Sequence, residues 1–171
     1  MFILIQSLVL LLLFSIQTTW LDSLSVAGVR PDLALIFVVY CGFYFRGNHG
    51  VGMGAAVGLI QDCLSGGLLG VNTLSKSLVA LFFSTLKDKI LIEGFLPTGF
   101  FIFLASLFDF VIYHLILVTL FKGEVAGAWV LSSMAAYALY NACAGPVLFF
   151  LLDLLKKGIV RRFPNLYLRS S

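Results

Sequence analysis

The fold is decided by the stretch PTGFFIFLASLFDFVIYHLILVTLF, residues 97–121, whose 25 residues include a single formal charge, that of Asp109. The hydrocarbon core of a bilayer is about 30 Å thick, so a helix of roughly 20 apolar residues crosses it. The apolar residues run on without the alternation of apolar and polar residues that is typical of membrane β-strands. The stretch therefore predicts a membrane-spanning α-helix.

The composition of the whole chain agrees with this interpretation. The 171 residues are 61% hydrophobic and 11% charged, with a mean hydropathy of +1.08. Soluble domains carry about a quarter charged residues, and disordered chains are far less apolar, so both classes are excluded. A net charge of +3 is too small to indicate nucleic-acid binding. The three cysteines show no metal-binding spacing, and we expect them to be buried thiols.

Five further apolar segments accompany the first, and their connections are short. The six predicted spans are residues 2–20, 32–45, 50–64, 69–86, 97–121 and 128–155. The first lacks the basic residues that precede the apolar region of a signal peptide, so we interpret it as a span. The sequence predicts a six-helix membrane bundle that forms a single domain over residues 1–171.

The basic residues predict the orientation of this bundle. One side would hold eight of them, namely Arg46, Lys87, Lys89, Lys156, Lys157, Arg161, Arg162 and Arg169, and the other would hold Arg30 and Lys122. Cytoplasmic loops are enriched in Lys and Arg. We therefore expect both termini in the cytoplasm.

Charged residues inside the spans each require an explanation, because a charge in hydrocarbon costs several kcal/mol. Asp62 and Lys76 would lie at similar depths on consecutive helices, and Asp109 in the same half of the bilayer. The simplest interpretation is an Asp62–Lys76 ion pair that closes the hairpin, with hydrogen bonds from Ser65, Asn72 and Thr73. The alternative is a water-filled outer cavity for a ligand or a partner's helix.

Glycines in the third segment indicate close helix packing. Gly50, Gly54 and Gly58 recur every four residues and would form a ridge on one helix face, which admits another backbone at short range. The ridge could be internal or could face a partner. The chain has no serine-hydrolase, zinc-protease or phosphate-binding motif. We therefore expect no catalytic site, metal or cofactor.

Three neighbouring stretches resemble the rod shape-determining protein MreD family: VRPDLALIFVVY (29–40), GLIQDCLSG (58–66) and GLLGVNTLSKSLVA (67–80). Members of that family show a Pro-Asp-Leu opening of the second helix, a Gly-x-x-x-Asp-x-x-Ser arrangement that ends the third, and a Gly-x-Asn loop. The matching residues here are Pro31, Asp32, Leu33, Gly58, Asp62, Ser65, Gly70 and Asn72.

The resemblance implies a non-enzymatic, multi-pass protein of the bacterial cytoplasmic membrane that takes part in cell elongation. It implies a bitopic MreC partner, together with the MreB filament, the RodA glycosyltransferase and its penicillin-binding transpeptidase. The implied fold resembles the S components of energy-coupling-factor transporters. A true vitamin-capturing S component is the alternative function. The absence of alanine and glycine from residues 2–20 disfavours it, because S components contact their energising subunit through small residues there.

Overall fold

A computed structural model of the chain describes residues 2–19, 29–44, 48–66, 68–87, 94–121 and 127–162. These residues form six α-helices: α1 (Phe2–Thr19), α2 (Leu33–Tyr44), α3 (Asn48–Ser65), α4 (Val71–Leu86), α5 (Phe95–Phe121) and α6 (Gly127–Arg162). Each predicted segment coincides with one helix, so the all-helical prediction is confirmed. The largest difference is at α6, which continues to Arg162 instead of ending at residue 155. Residues 156–162 contain no proline, so nothing in this stretch interrupts the helix.

Two segments in the described part of the chain are long and apolar enough to cross a membrane. They are Phe95–Thr119, with 25 residues and a mean hydropathy of 2.3, and Val130–Gly158, with 29 residues and a mean hydropathy of 1.7. Within an 18-residue stretch of each, only 22% of the first and 39% of the second is buried inside the protein, so both expose large apolar surfaces. Such surfaces are what lipid contact requires.

The shortest helix, α2, lies at the centre of the bundle. Its 12 residues are only about 18 Å long at 1.5 Å per residue. Nine consecutive residues, from Ala34 to Gly42, are buried. The other five helices all pack against it. Because α2 is enclosed by protein, all its side chains can be apolar without alternation, as the sequence shows.

The glycine ridge of α3 is internal. A Cβ atom at Gly54 would lie 2.6 Å from the Lys76 carbonyl oxygen, and one at Gly58 would lie 2.6 Å from Thr73 Cα. The third ridge residue, Gly50, faces α2, where a Cβ would lie 3.4 Å from Gly42 Cα. The ridge therefore brings the backbones of α3 and α4 together, and this face is covered by the protein itself.

The prediction that all three cysteines are buried is wrong for two of them. Cys41 is buried in α2, whereas Cys63 and Cys143 are exposed on α3 and α6. Thiols are small and weakly polar, so they are compatible with an apolar surface as well as with a core.

Candidate functional site

A buried polar cluster lies where α2 begins, and Asp32 is at its centre. Asp32 caps α2, because its Oδ1 accepts a hydrogen bond from the Leu35 amide at 2.9 Å and its carbonyl accepts one from Ile36 at 3.1 Å. The preceding residue, Pro31, is buried beside it. Proline disfavours helical backbone in the residue before it and supplies no amide donor. The Pro-Asp-Leu sequence thus sets where α2 starts and points a carboxylate into the bundle.

The second oxygen of Asp32 pairs with Lys76. The Lys76 ammonium comes from α4 and lies 3.0 Å from Asp32 Oδ2 and 3.9 Å from Asp109 Oδ1. The Lys76 residue has no exposed surface. A buried ammonium needs such partners, because desolvating an isolated charge costs several kcal/mol. This ion pair joins α2 to α4.

Asp109 brings α5 into the same cluster. Its Oδ1 accepts a short hydrogen bond from the Ser75 hydroxyl of α4. Its Oδ2 lies 3.1 Å from the Tyr137 hydroxyl of α6, and that hydroxyl is also 3.3 Å from Asp32 Oδ2. Tyr137 therefore bridges the two carboxyl groups.

Amide and hydroxyl groups extend the cluster on two sides. Asn141 of α6 accepts a hydrogen bond from the Asp32 backbone amide at 2.7 Å and donates one to Ser106 of α5 at 3.0 Å. Gln61 of α3 donates to Asp32 Oδ2 at 3.3 Å, while its own buried Oε1 has no partner among the described residues. Side chains from five helices, α2 to α6, thus meet at one point.

Asp62 forms a second, adjacent site at the start of α4. Its two carboxylate oxygens accept hydrogen bonds from the backbone amides of Gly70, Asn72 and Thr73, at 2.9–3.0 Å. They also accept bonds from the Asn72 amide side chain at 3.0 Å and from the Thr73 hydroxyl at 2.7 Å. The first amides of a helix lack intrahelical partners and favour a negative charge. Asp62 supplies both the acceptors and the charge.

The predicted Asp62–Lys76 ion pair is therefore wrong, although the hairpin is closed by Asp62 as expected. The carboxylate faces the amides at the start of α4, whereas the lysine side chain reaches across to α2 and α5. Asn72 connects the two sites. Its side-chain nitrogen donates to Asp62, and its side-chain oxygen lies 3.4 Å from Lys76 Nζ.

The remaining predicted residues shape the turn between α3 and α4. Gly70 has φ +101°, a conformation that favours glycine, and this places its amide on Asp62. Ser65 donates a hydrogen bond to the Asp62 carbonyl oxygen at 3.3 Å and is otherwise exposed. Of the predicted site residues, Asp32, Lys76 and Asp109 are brought together in the cluster. Pro31 lies beside Asp32 before α2, Gly50 faces α2, and the others build the α3–α4 hairpin.

The sequence analysis missed Tyr137 and Asn141 of α6 and Ser75 of α4. A signal was present, because Tyr137 and Asn141 are four residues apart and so share a helix face, as do Ser106 and Asp109 on α5. What the sequence did not provide was the direction in which each face points.

The contacts of the cluster connect helices to one another. Its charges and most of its hydrogen-bonding groups contact one another, and the charged side chains are buried. Among the described residues no three His, Cys, Asp or Glu side chains are placed to hold a metal ion.

Two long apolar helices that pack with a buried ionic cluster are typical of a helical membrane protein. The chain matches the family model described as rod shape-determining protein MreD over residues 1–159, and it belongs to that family. No curated protein and no solved structure matches it.

Proposed function

We propose that this protein is a non-enzymatic scaffold of the bacterial cell-elongation machinery, located in the cytoplasmic membrane. It would bind a bitopic MreC-like protein and, through it, act with the MreB filament, the RodA glycosyltransferase and its transpeptidase. The observation that carries the proposal is the MreD family match, which extends over residues 1–159. A role in rod shape follows from the family, and the scaffold role is the mechanism we add.

The contacts of the family-like residues support a scaffold. Asp32 and Asp62, which carry the resemblance, are used to start helices and to join them. Lys76, the cation between α2 and α5, has no exposed surface with which to meet a substrate. A protein whose polar residues fix its own shape is suited to present a rigid surface to a partner.

The partner's helix would need a face other than the glycine ridge, because α4 covers the ridge. The outward face of α3 offers small residues, which favour helix association in lipid. It contains Gly52, Ala56 and Cys63, all exposed, and a Cβ at Gly52 would meet no atom within 4 Å. We propose this α3 face as the partner surface.

Two native cysteines allow this surface to be tested directly. Cys143→Ser leaves Cys63 as the exposed thiol on α3, and Cys63→Ser leaves Cys143 on α6, with Cys41 buried in both variants. Each variant would be co-expressed with an MreC-like bitopic protein from the same organism and treated with a photoactivatable maleimide. We expect the adduct from Cys63 and little from Cys143. The reverse pattern would assign the partner to α6.

Binding is tested by substitution on the same helix. Gly52→Leu should keep the melting temperature of the purified protein and lose co-purification with the partner. Failure of the unmodified protein to co-purify or to crosslink would contradict partner binding altogether.

Cell shape tests the function itself. Depletion in a rod-shaped host should give round cells before growth stops, with vitamin uptake unchanged. Normal rods under verified depletion would refute the assignment. A selective uptake defect would favour the transporter S component instead.

A further inference from the structure

The buried cluster contains more negative than positive groups. Two carboxyl groups, those of Asp32 and Asp109, share one ammonium, that of Lys76. Within the described part of the chain, Lys76 is the cation with which both carboxyl groups form ion pairs. If both carboxyls were ionised, the cluster would carry one uncompensated negative charge inside the bundle. Such a charge costs several kcal/mol in a low dielectric.

Neighbouring helices do not supply the missing positive charge within the described residues. From the helices that pack against α5, the groups facing Asp109 are Asp32 of α2, Ser75 and Lys76 of α4, and Tyr137 of α6. On α5 itself, His114 lies against the Phe110 carbonyl and stacks on the Phe110 ring. These contacts engage its ring with Phe110 and not with a carboxyl group of the cluster. Asp62 of α3 adds a further negative charge nearby, but the amides of α4 compensate it.

The contacts of Tyr137 indicate where a proton would be held. Its hydroxyl lies within hydrogen-bonding distance of both carboxyl groups, 3.1 Å from Asp109 Oδ2 and 3.3 Å from Asp32 Oδ2. A phenol has one hydrogen to donate, so it cannot serve two carboxylates at once. If Asp109 Oδ2 carries a proton, it donates to the phenol oxygen and the phenol donates to Asp32. Both short contacts are then hydrogen bonds.

Asp32 is the better-supported anion of the two. It accepts hydrogen bonds from the Leu35 amide and from Gln61, and it lies 3.0 Å from the lysine. Asp109 lies 3.9 Å from the same lysine and receives hydroxyl contacts only. Donors and the close cation favour the charged form of a carboxyl group.

We propose that Asp109 is a proton-binding site, which holds one proton in the folded protein at neutral pH and makes the cluster electrically neutral. The proton joins α5 to α6 through Tyr137 and to α2 through the same hydroxyl. Its role is to keep the α5–α6 hairpin attached to the rest of the bundle.

Infrared spectroscopy of the purified protein in detergent tests the proposal. A protonated carboxyl group absorbs at a higher carbonyl frequency than a carboxylate, and the chain has only eight acidic side chains. We expect this band at neutral pH in the native protein, its shift in heavy water, and its loss in Asp109→Asn. Absence of the band from the native protein, or its persistence in the variant, would overturn the assignment.

A stability comparison provides the second measurement. Asparagine resembles a protonated aspartate in shape and can donate to Tyr137, so Asp109→Asn should melt within a few degrees of the native protein. Asp32→Asn keeps a good helix cap but removes the counter-ion of Lys76, so it should melt much lower. Equal losses from both variants would refute the proposal. A melting temperature that depends on sodium or potassium would assign the balancing charge to a metal cation and would also overturn it.

Discussion

The contact between α3 and α4 makes a sharp prediction about two glycines on one helix. At Gly58 an added Cβ would lie 2.6 Å from Thr73 Cα, whereas ordinary contacts are 3.4 Å or longer, so Gly58→Ala must separate the helices by about 1 Å. Overpacking of this kind costs about 1–3 kcal/mol. The separation also lengthens the hydrogen bonds that the amides of Asn72 and Thr73 donate to Asp62. These bonds cap α4, and loss of a helix cap costs roughly 1 kcal/mol. We expect a total loss of about 2–4 kcal/mol for Gly58→Ala.

Gly52→Ala is the matched control, because no atom lies within 4 Å of its added Cβ. It gains helix propensity of up to about 1 kcal/mol. In soluble domains of this size, 1 kcal/mol of stability shifts the melting temperature by about 2–4 °C. On that conversion Gly58→Ala should lower the melting temperature by roughly 5–15 °C, while Gly52→Ala should leave it unchanged or raise it slightly. Melting would be followed by fluorescence-detected size exclusion in mild detergent. Equal melting temperatures for the two variants, or greater harm from Gly52→Ala, would refute the packing described above.

Three further predictions concern the charges. Asp62→Ala should lower the melting temperature markedly, because it leaves the first amides of α4 without acceptors at a cost of about 1–3 kcal/mol; a native-like melting curve would contradict the capping role. Lys76→Met should reduce folded yield, since breaking a buried pair costs about 3–5 kcal/mol, and adding Asp32→Asn should restore much of that yield. A double variant with a yield as low as that of Lys76→Met would argue against this pairing. Exchanging Asp62 with Lys76 should not restore the yield lost in the single variants. If both termini are cytoplasmic, a cysteine at Gly67 should react with an impermeant maleimide in intact cells and one at Asp88 only after permeabilisation, and the opposite pattern would refute the orientation.

The helices were predictable because length and hydropathy act locally. A run such as residues 97–121 has few other stable conformations in a membrane, since every backbone group must be paired within the segment. The burial of α2 was partly predictable, because the predicted segment 32–45 has 14 residues, which is short for a full crossing. The extension of α6 to Arg162 was not, because hydropathy ends before the helix does.

The charged residues of the cluster were among the predicted site residues, but their pairing was mispredicted, and Ser75, Tyr137 and Asn141 were missed. Sequence gives the depth of a residue along its helix, and it placed Asp62 and Lys76 at a similar level. It does not give the rotation of the helix, and it does not show that α2 lies between the two hairpins. Lys76 therefore pairs with Asp32, 44 positions away, and not with Asp62, 14 positions away. Gly58 and Asp62 were predictable as a unit, because both act within one hairpin.

Burying these charges costs free energy, but their contacts select one arrangement of the helices. Apolar side chains gain little by moving from lipid to a neighbouring helix, so apolar packing alone selects weakly among arrangements of six similar helices. The α3–α4 hairpin needs only local partners, since Asp62 meets amides 8–11 residues away. The cluster needs distant ones, since Asp32 meets Asn141 and Tyr137 more than 100 residues away. An arrangement that misplaced α6 would leave Asp32 without these partners and Asp109 without its contact to Tyr137. The buried cluster therefore penalises the wrong arrangements and holds the helices in one geometry.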